Sequence, residues 1–114
     1  MTSPVHAEIP EIENSALPDN ALMVDVRETD EWDLGHAPHS MLIPLGELPG
    51  RMGDLPEHRP LHIICRSGGR SGRAVAFLRE QGVEAINVTG GMLAWQAAGR
   101  PMTTGNGSGS PLVQ

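Results

Sequence analysis

Residues 61–82 have the sequence LHIICRSGGRSGRAVAFLREQG, in which one cysteine joins two patterned segments. Leu61–Ile64 is an apolar run typical of a strand buried inside a sheet. The segment 72–81 predicts a helix, with Gly82 as its C-cap. Cys65 opens the short turn between them, which contains two adjacent glycines. A strand, a turn and a helix in this order form the repeating unit of a parallel sheet.

The rest of the chain repeats this alternation of strands and helices. Apolar runs predict further strands at 21–26, 40–43 and 85–88, and residues 1–20 contain at most one edge strand. Helices are predicted from Thr29, which offers an N-cap, to Gly35, and at 45–53 and 91–98. This order predicts an α/β fold with a parallel central sheet and helices on both faces. We expect a single domain at residues 1–102 and a flexible Gly/Ser-rich C-terminal tail at 103–114.

Composition and charge narrow the classes of function. A chain of 114 residues with 39% hydrophobic residues is typical of one soluble globular domain. No apolar run approaches the ~20 residues of a membrane span, and the first residues lack the basic and apolar regions of a signal peptide. We therefore expect a cytoplasmic protein without a membrane partner. A net charge of −6 argues against a nucleic-acid partner.

Cys65 is the only cysteine, which excludes an internal disulfide and a cysteine-rich zinc site. His36 and His39 have no further ligands at matching spacing, so we predict neither a metal nor a cofactor. A lone cysteine is often a small buried residue of the core. The surroundings of Cys65 must distinguish a structural thiol from a reactive one.

Positive charge is concentrated around Cys65. All eight basic side chains are arginines, and no acid lies between Glu57 and Glu80. Five of the arginines lie in that stretch: Arg59, Arg66, Arg70, Arg73 and Arg79. A solvated helix face explains the last two, but Arg66 and Arg70 flank glycines in the predicted turn.

The predicted turn has the features of an anion site. Unpaired N–H groups at a helix N-terminus and a Gly-rich curl of amides both stabilise negative charge, here on a Cys65 thiolate. Arg66 and Arg70 would add to this effect. A free cysteine has a pKa of ~8.5, and an environment of this kind lowers it and activates the thiol as a nucleophile.

The segment Cys65-Arg66-Ser67-Gly68-Gly69-Arg70-Ser71 resembles the active-site loop of the rhodanese family. Three other motifs of that family occur in the expected order: Asp25-Val26-Arg27-Glu28, Gly35-His36-Ala37-Pro38 and Gly90-Gly91-Met92-Leu93-Ala94-Trp95. The resemblance covers about residues 8–102. It implies a rhodanese-like α/β fold and transfer of sulfur in two steps.

In that reaction, as the resemblance implies it, the cysteine takes the outer sulfur of thiosulfate as a persulfide and releases sulfite. The sulfur then passes to cyanide, to a thiol or to a sulfur-accepting protein. By position, Cys65 would be the sulfur carrier, and Arg66, Ser67, Gly68, Gly69, Arg70 and Ser71 would surround the persulfide. Arg66 and Arg70 would bind the anionic donor. Asp25 and Arg27 would support the loops, because an unpaired carboxylate at the end of a buried strand is costly.

Two other functions remain open at this point. Cysteine phosphatases and arsenate reductases also place a Cys-to-Arg loop at a helix N-terminus, with five residues between the two, whereas four separate Cys65 from Arg70. The shorter loop favours a single sulfur atom over a tetrahedral oxyanion. A non-catalytic rhodanese-like module that binds a partner is the alternative from another class, although such modules often lose the cysteine or the cationic loop.

Overall fold

The computed structural model describes residues 9–105, 107 and 109–114. The start of the predicted domain, residues 1–8, lies outside the described residues. Within these described residues, five strands form one sheet: β1 (Glu11–Glu13), β2 (Met23–Asp25), β3 (Ser40–Leu42), β4 (Leu61–Ile64) and β5 (Ala85–Thr89). All pairings are parallel, and the strand order is β1-β5-β4-β2-β3. From the neighbouring strands β2 and β4 the connections run in opposite directions across the sheet, to β3 on one side and to β5 on the other. The carboxyl end of β4 therefore lies at the switch point where such folds bind ligands.

The described residues form three α-helices: α1 (Thr29–Leu34) lies between β2 and β3, α2 (Gly69–Glu80) between β4 and β5, and α3 (Gly91–Ala97) follows β5. Two segments of 3-10 helix, Asn14–Ala16 and Leu45–Asp54, complete the connections. Within the described part of the chain, no helix has both the length and the hydropathy that crossing a bilayer requires.

The side chains of the sheet alternate between two cores. Leu61, Ile63 and Cys65 pack on the face of the sheet that α2 covers, whereas Ile64 packs on the opposite face with Met92 and Trp95 of α3. This period of two follows from the pleat of a strand. The predicted α/β fold, with a parallel central sheet between helices, is confirmed.

α2 begins three residues earlier than predicted. The glycine pair predicts a turn, but Gly68 is the only one of the two with a positive φ, 120°. Gly69 has ordinary backbone angles, so the helix starts there and includes Arg70 and Ser71 in its first turn. The functional segment is therefore a tight turn over residues 66–68 followed by a helix N-terminus.

The N-cap of α1 also differs from the prediction. Glu28, and not Thr29, is the cap, and it forms a capping box in which the Glu31 side chain accepts the Glu28 N–H at 3.0 Å. Glutamate can replace the usual hydroxyl because the reciprocal pair satisfies two backbone donors.

The described residues of the C-terminal segment 103–114 lie against the domain. Thr103 forms an antiparallel bridge with His36, and the Leu112 N–H donates to the carbonyl of Leu34 at 3.0 Å. A Cβ on Gly35 would lie 2.6 Å from the carbonyl oxygen of Leu112, so this close approach requires glycine. Flexibility of the segment stays a prediction.

Candidate active site

Cys65 follows the last residue of β4, and its side chain points toward the N-terminus of α2. Its Sγ accepts a hydrogen bond from the Gly68 N–H at 3.1 Å and lies 3.2 Å from the Ser71 hydroxyl oxygen. Gly68 has a positive φ, a conformation that glycine adopts without strain, and its N–H points back toward the sulfur. The turn and the first helical turn therefore converge on one atom.

The environment favours the thiolate of Cys65. Burial raises the pKa of the thiol, but hydrogen bonds from the Ser71 hydroxyl and from the amides of Ser71, Gly68 and Ser67 together outweigh burial, and the net pKa is lowered. These donors stabilise the charged form, as at other helix N-termini.

Cys65 is more buried than the access of an anionic donor leads one to expect. Only 1% of the residue is exposed, although it forms part of the wall of a cavity of about 550 Å³. The other residues of that wall are Ile9, Glu11, Ser67, Gly68, Gly69, Arg70, Gly72, Arg73 and Asn87. The sulfur is thus reached from this cavity, whose floor is the tight turn and the first turn of α2.

The two arginines of the predicted loop are not equivalent. Arg70 forms a bidentate ion pair with Glu31 of α1, with distances of 2.6 and 2.9 Å, so an acid from outside the stretch between Glu57 and Glu80 offsets its charge. The hydrogen bonds from Arg70 hold the pKa of Glu31 at about 2. Arg66 is exposed, and its Nε donates to the carbonyl oxygen of Gln114 at 2.5 Å. Among the described residues, Arg66 is not part of the cavity wall.

Asp25 and Arg27 form a fully buried ion pair beside the end of β4. The Arg27 Nη2 lies 2.8 Å from Asp25 Oδ2 and also donates to the carbonyl of Gly35 at 2.8 Å. Both side chains are 0% exposed. Asp25 pairs in register with Ile64, the residue before Cys65. This pair therefore ties the end of β2 to Gly35, the residue that follows α1.

The N-terminus of α3 holds the other side of the turn. The amides of Met92 and Leu93 donate to the carbonyls of Cys65 and Arg66 at 2.8 and 3.0 Å. A Cβ on Gly91 would lie 2.5 Å from both carbonyl oxygens. The Gly-Gly motif before α3 therefore lets this helix approach the backbone of the catalytic candidate.

Sequence reasoning missed Asn87, Glu11 and Glu31. Asn87 is 3% exposed, and its Oδ1 lies 2.6 Å from the Ser71 hydroxyl oxygen. Its signal in the sequence is a polar residue in a buried strand at the same parity as Ala85, which places both on the α2 face. Glu31 gives no comparable signal, because 39 residues separate it from Arg70.

Comparison with known proteins identifies the family. The sequence-family model of the rhodanese-like domain matches residues 11–98 of this chain. This chain is a member of the rhodanese-like domain family. It is 37% identical over 100 residues to a putative sulfurtransferase, YtwF, of Bacillus subtilis, covering 82% of this chain and 97% of the relative.

Two further matches agree with this assignment. A sulfurtransferase of Allochromatium vinosum is 37% identical over 90 residues, covering 78% of this chain and 84% of that protein. The crystal structure of a rhodanese-related protein of Thermoplasma volcanium superposes with a TM-score of 0.75 at 34% identity, covering 82% of this chain and 97% of that one. Membership of the rhodanese-like family and relatives named sulfurtransferases support a general role in sulfur transfer.

Proposed function

We propose that this rhodanese-like domain is a sulfurtransferase that carries sulfane sulfur as a persulfide on Cys65. Its donor would be thiosulfate or a related compound, and its acceptor a thiophile such as cyanide or a thiol. The observation that supports this most directly is the convergence of N–H and O–H donors on the sulfur of Cys65, at the wall of an open cavity.

In the first step the Cys65 thiolate attacks the outer sulfur of thiosulfate. A bond forms between Sγ and that sulfur, the bond to the sulfonate sulfur breaks, and sulfite leaves with the electron pair. In the second step the acceptor attacks the outer sulfur of the persulfide, and Sγ leaves as a thiolate. Atoms and electrons balance without an added oxidant or reductant.

The neighbours of Cys65 have separate tasks in this proposal. The amides of Ser67, Gly68 and Ser71 stabilise negative charge on Sγ before the first step and after the second. The first-turn amides of α2, which include those of Gly69 and Arg70, have no partner within the helix and are available to the outer sulfur. Arg73 lines the cavity and supplies positive charge for an anionic donor, whereas the charge of Arg70 in the same wall is offset by Glu31.

The decisive experiment is an intact-mass measurement before and after thiosulfate, followed by addition of cyanide. The wild-type protein should gain one sulfur atom and lose it again as thiocyanate. Cys65→Ser should gain none, because no other thiol is present in the chain. If the serine variant forms thiocyanate, Cys65 is not the carrier. If the wild type forms no persulfide with any sulfane donor, the non-catalytic module becomes the better explanation.

A further inference from the structure

The Ser71 hydroxyl stands between two acceptors. Its oxygen lies 3.2 Å from the sulfur of Cys65 and 2.6 Å from Oδ1 of Asn87. A hydroxyl has a single proton to donate. It therefore cannot donate to a Cys65 thiolate and to the Asn87 carbonyl at the same time.

The orientation of the Asn87 amide is determined by its other neighbours. Its Nδ2 lies 3.3 Å from the Glu11 carboxylate oxygen Oε2 and 3.3 Å from the carbonyl oxygen of Gly68. Both are acceptors, so the amide nitrogen must face them and Oδ1 must face Ser71. Two oxygens 2.6 Å apart need a proton between them, and Ser71 is the one able to supply it.

We propose that Asn87 is a positioning residue that sets the acidity of Cys65 by competing with its sulfur for the hydroxyl proton of Ser71. When Cys65 is protonated, the thiol can donate to the Ser71 oxygen while the Ser71 hydroxyl donates to Oδ1 of Asn87. Both hydrogen bonds, from Cys65 to Ser71 and from Ser71 to Asn87, then form. When Cys65 ionises, the hydroxyl turns to the thiolate and the buried Oδ1 loses its donor. Asn87 thus favours the protonated thiol, and it reduces the stabilisation of the thiolate by the Ser71 hydroxyl.

This inference rests on the proposed role of Cys65 as nucleophile, and it gives the Ser71 hydroxyl two positions during turnover. It faces the sulfur while Sγ is a thiolate. It returns to Asn87 once Sγ is bonded to the transferred sulfur and no longer carries the charge. The competition keeps the unloaded thiolate from being so stable that it becomes a poor nucleophile.

Replacing Asn87 by an apolar residue changes no charged side chain, but it also removes the donor that Nδ2 offers to Glu11 and to the Gly68 carbonyl. The charged groups around the site are Glu11 on β1, Arg70 and Arg73 on α2, Glu31 on α1, and the Asp25–Arg27 pair at the end of β2. β5 and α3 contain no titratable side chain. A change in the acidity of Cys65 on replacing Asn87 is therefore assigned to the Ser71 hydrogen bonds only where it disappears when the Ser71 hydroxyl is removed.

The test is a double-mutant cycle read out by the ultraviolet absorbance of the thiolate as pH is varied. The chain suits this measurement because it contains one cysteine and no tyrosine. Asn87→Leu has similar size but no acceptor, and it should lower the pKa of Cys65 and raise its alkylation rate below the midpoint by about two- to tenfold. Ser71→Ala should raise the pKa, and Asn87→Leu should have no further effect in that background.

Thr89→Val, on the same strand and at the same parity, is the matched control and should leave the titration unchanged. Asn87→Val provides a second apolar variant if the leucine does not fold. The inference is wrong if loss of the Asn87 acceptor leaves the pKa unchanged or raises it, or if the pKa still falls without the Ser71 hydroxyl. Persulfide formation by the wild type, measured separately, tests the proposed function and is independent of this coupling.

Discussion

At the scale of single residues, Cys65 is subject to two opposed influences. Burial disfavours the thiolate, whereas four hydrogen-bond donors from Ser67, Gly68 and Ser71 favour it, and the donors prevail. Apolar burial alone would have the opposite result and leave an inert thiol. The direction of the shift in pKa therefore favours the proposed reactive role of Cys65 over that of a core residue.

We predict that Cys65 reacts with iodoacetamide with a midpoint below the ~8.5 of a free cysteine. Because the folded state has the lower pKa, the thiolate also adds stability above the pKa of the unfolded thiol, and this stability is lost as pH falls through the folded value. Alkylation followed across pH measures the midpoint. Preloading with thiosulfate should protect the sulfur, and a midpoint at or above the free value would contradict the prediction.

At the scale of secondary-structure elements, α1 and α2 are joined at the cavity by the pair of Glu31 and Arg70. The Glu31 side chain is 14% exposed and that of Arg70 is 28% exposed, so water screens the pair only in part. The pair neutralises one of the two cations of the cavity wall. It also fixes the first turn of α2 against the neighbouring helix.

We predict that Glu31→Gln lowers the KM for thiosulfate several-fold, because Arg70 becomes available to the dianion. The amide oxygen of glutamine can still accept the Glu28 N–H, so the capping box is retained. Steady-state kinetics with thiosulfate measure the effect. Glu28→Gln, on the same helix but without an Arg70 contact, is the control, and a higher KM in the Glu31 variant would remove Arg70 from donor binding.

Glu31→Gln also changes how the free energy of unfolding depends on pH in acid. The pKa of Glu31 falls from 4.5 to about 2 on folding, so the pair stabilises the protein above pH ~4.5, and this stability is lost as pH falls toward 2. The contribution is on the order of 2–3 kcal/mol. Chemical unfolding of the wild type at pH 7 and pH 3 should show this loss, and the variant should lack it.

The contact between α3 and the Cys65 turn depends on Gly91. Its φ is 57°, and an added Cβ would meet two carbonyl oxygens at 2.5 Å. We predict that Gly91→Ala displaces the turn and reduces both stability and the rate of persulfide formation. Gly99→Ala is a matched control, because its φ of 69° gives similar strain with open space around the Cβ.

The Gly99→Ala control should lose only about 1–2 kcal/mol of stability through backbone strain, and it should keep the wild-type rate of persulfide formation. Thermal unfolding and single-turnover persulfide formation measure the two effects separately. Equal losses of rate in both alanine variants would show that the contact with the carbonyls of the turn is not required.

At the scale of the whole molecule, stability depends on a charged pair in the interior. Asp25 lies in the sheet, and Arg27 links it to the carbonyl of Gly35 at the end of α1. Both side chains are fully buried. Breaking it leaves an unpaired charge out of contact with water, which costs more than the intact pair contributes.

We predict that Asp25→Asn lowers the free energy of unfolding by roughly 3–5 kcal/mol, because Arg27 keeps its charge without a carboxylate partner. Equilibrium unfolding in urea measures this. Asp54→Asn is the control, because Asp54 pairs with Arg51 at the surface and exposed pairs contribute about 0–1 kcal/mol. Similar losses in the two variants would contradict a special role of the buried pair.

The sequence by itself was sufficient for the fold class and for the position of Cys65. Apolar runs predicted β2, β3, β4 and β5, because a strand buried on both faces needs consecutive apolar residues. The cysteine at the end of β4 and the glycines after it predicted a turn that leads into a helix N-terminus. These features are local, since each depends on residues within one strand or one helical turn.

Only the tertiary structure determined which groups face Cys65 and which charges are free. Glu31 meets Arg70 across 39 residues and Ser71 meets Asn87 across 16, while α3 reaches the carbonyls of Cys65 and Arg66. Strand order and helix packing bring these partners together, and no periodicity in the chain records them. A run of arginines without nearby acids in the sequence was therefore a poor guide to the charge of the site, because electrostatic partners are chosen by distance in space.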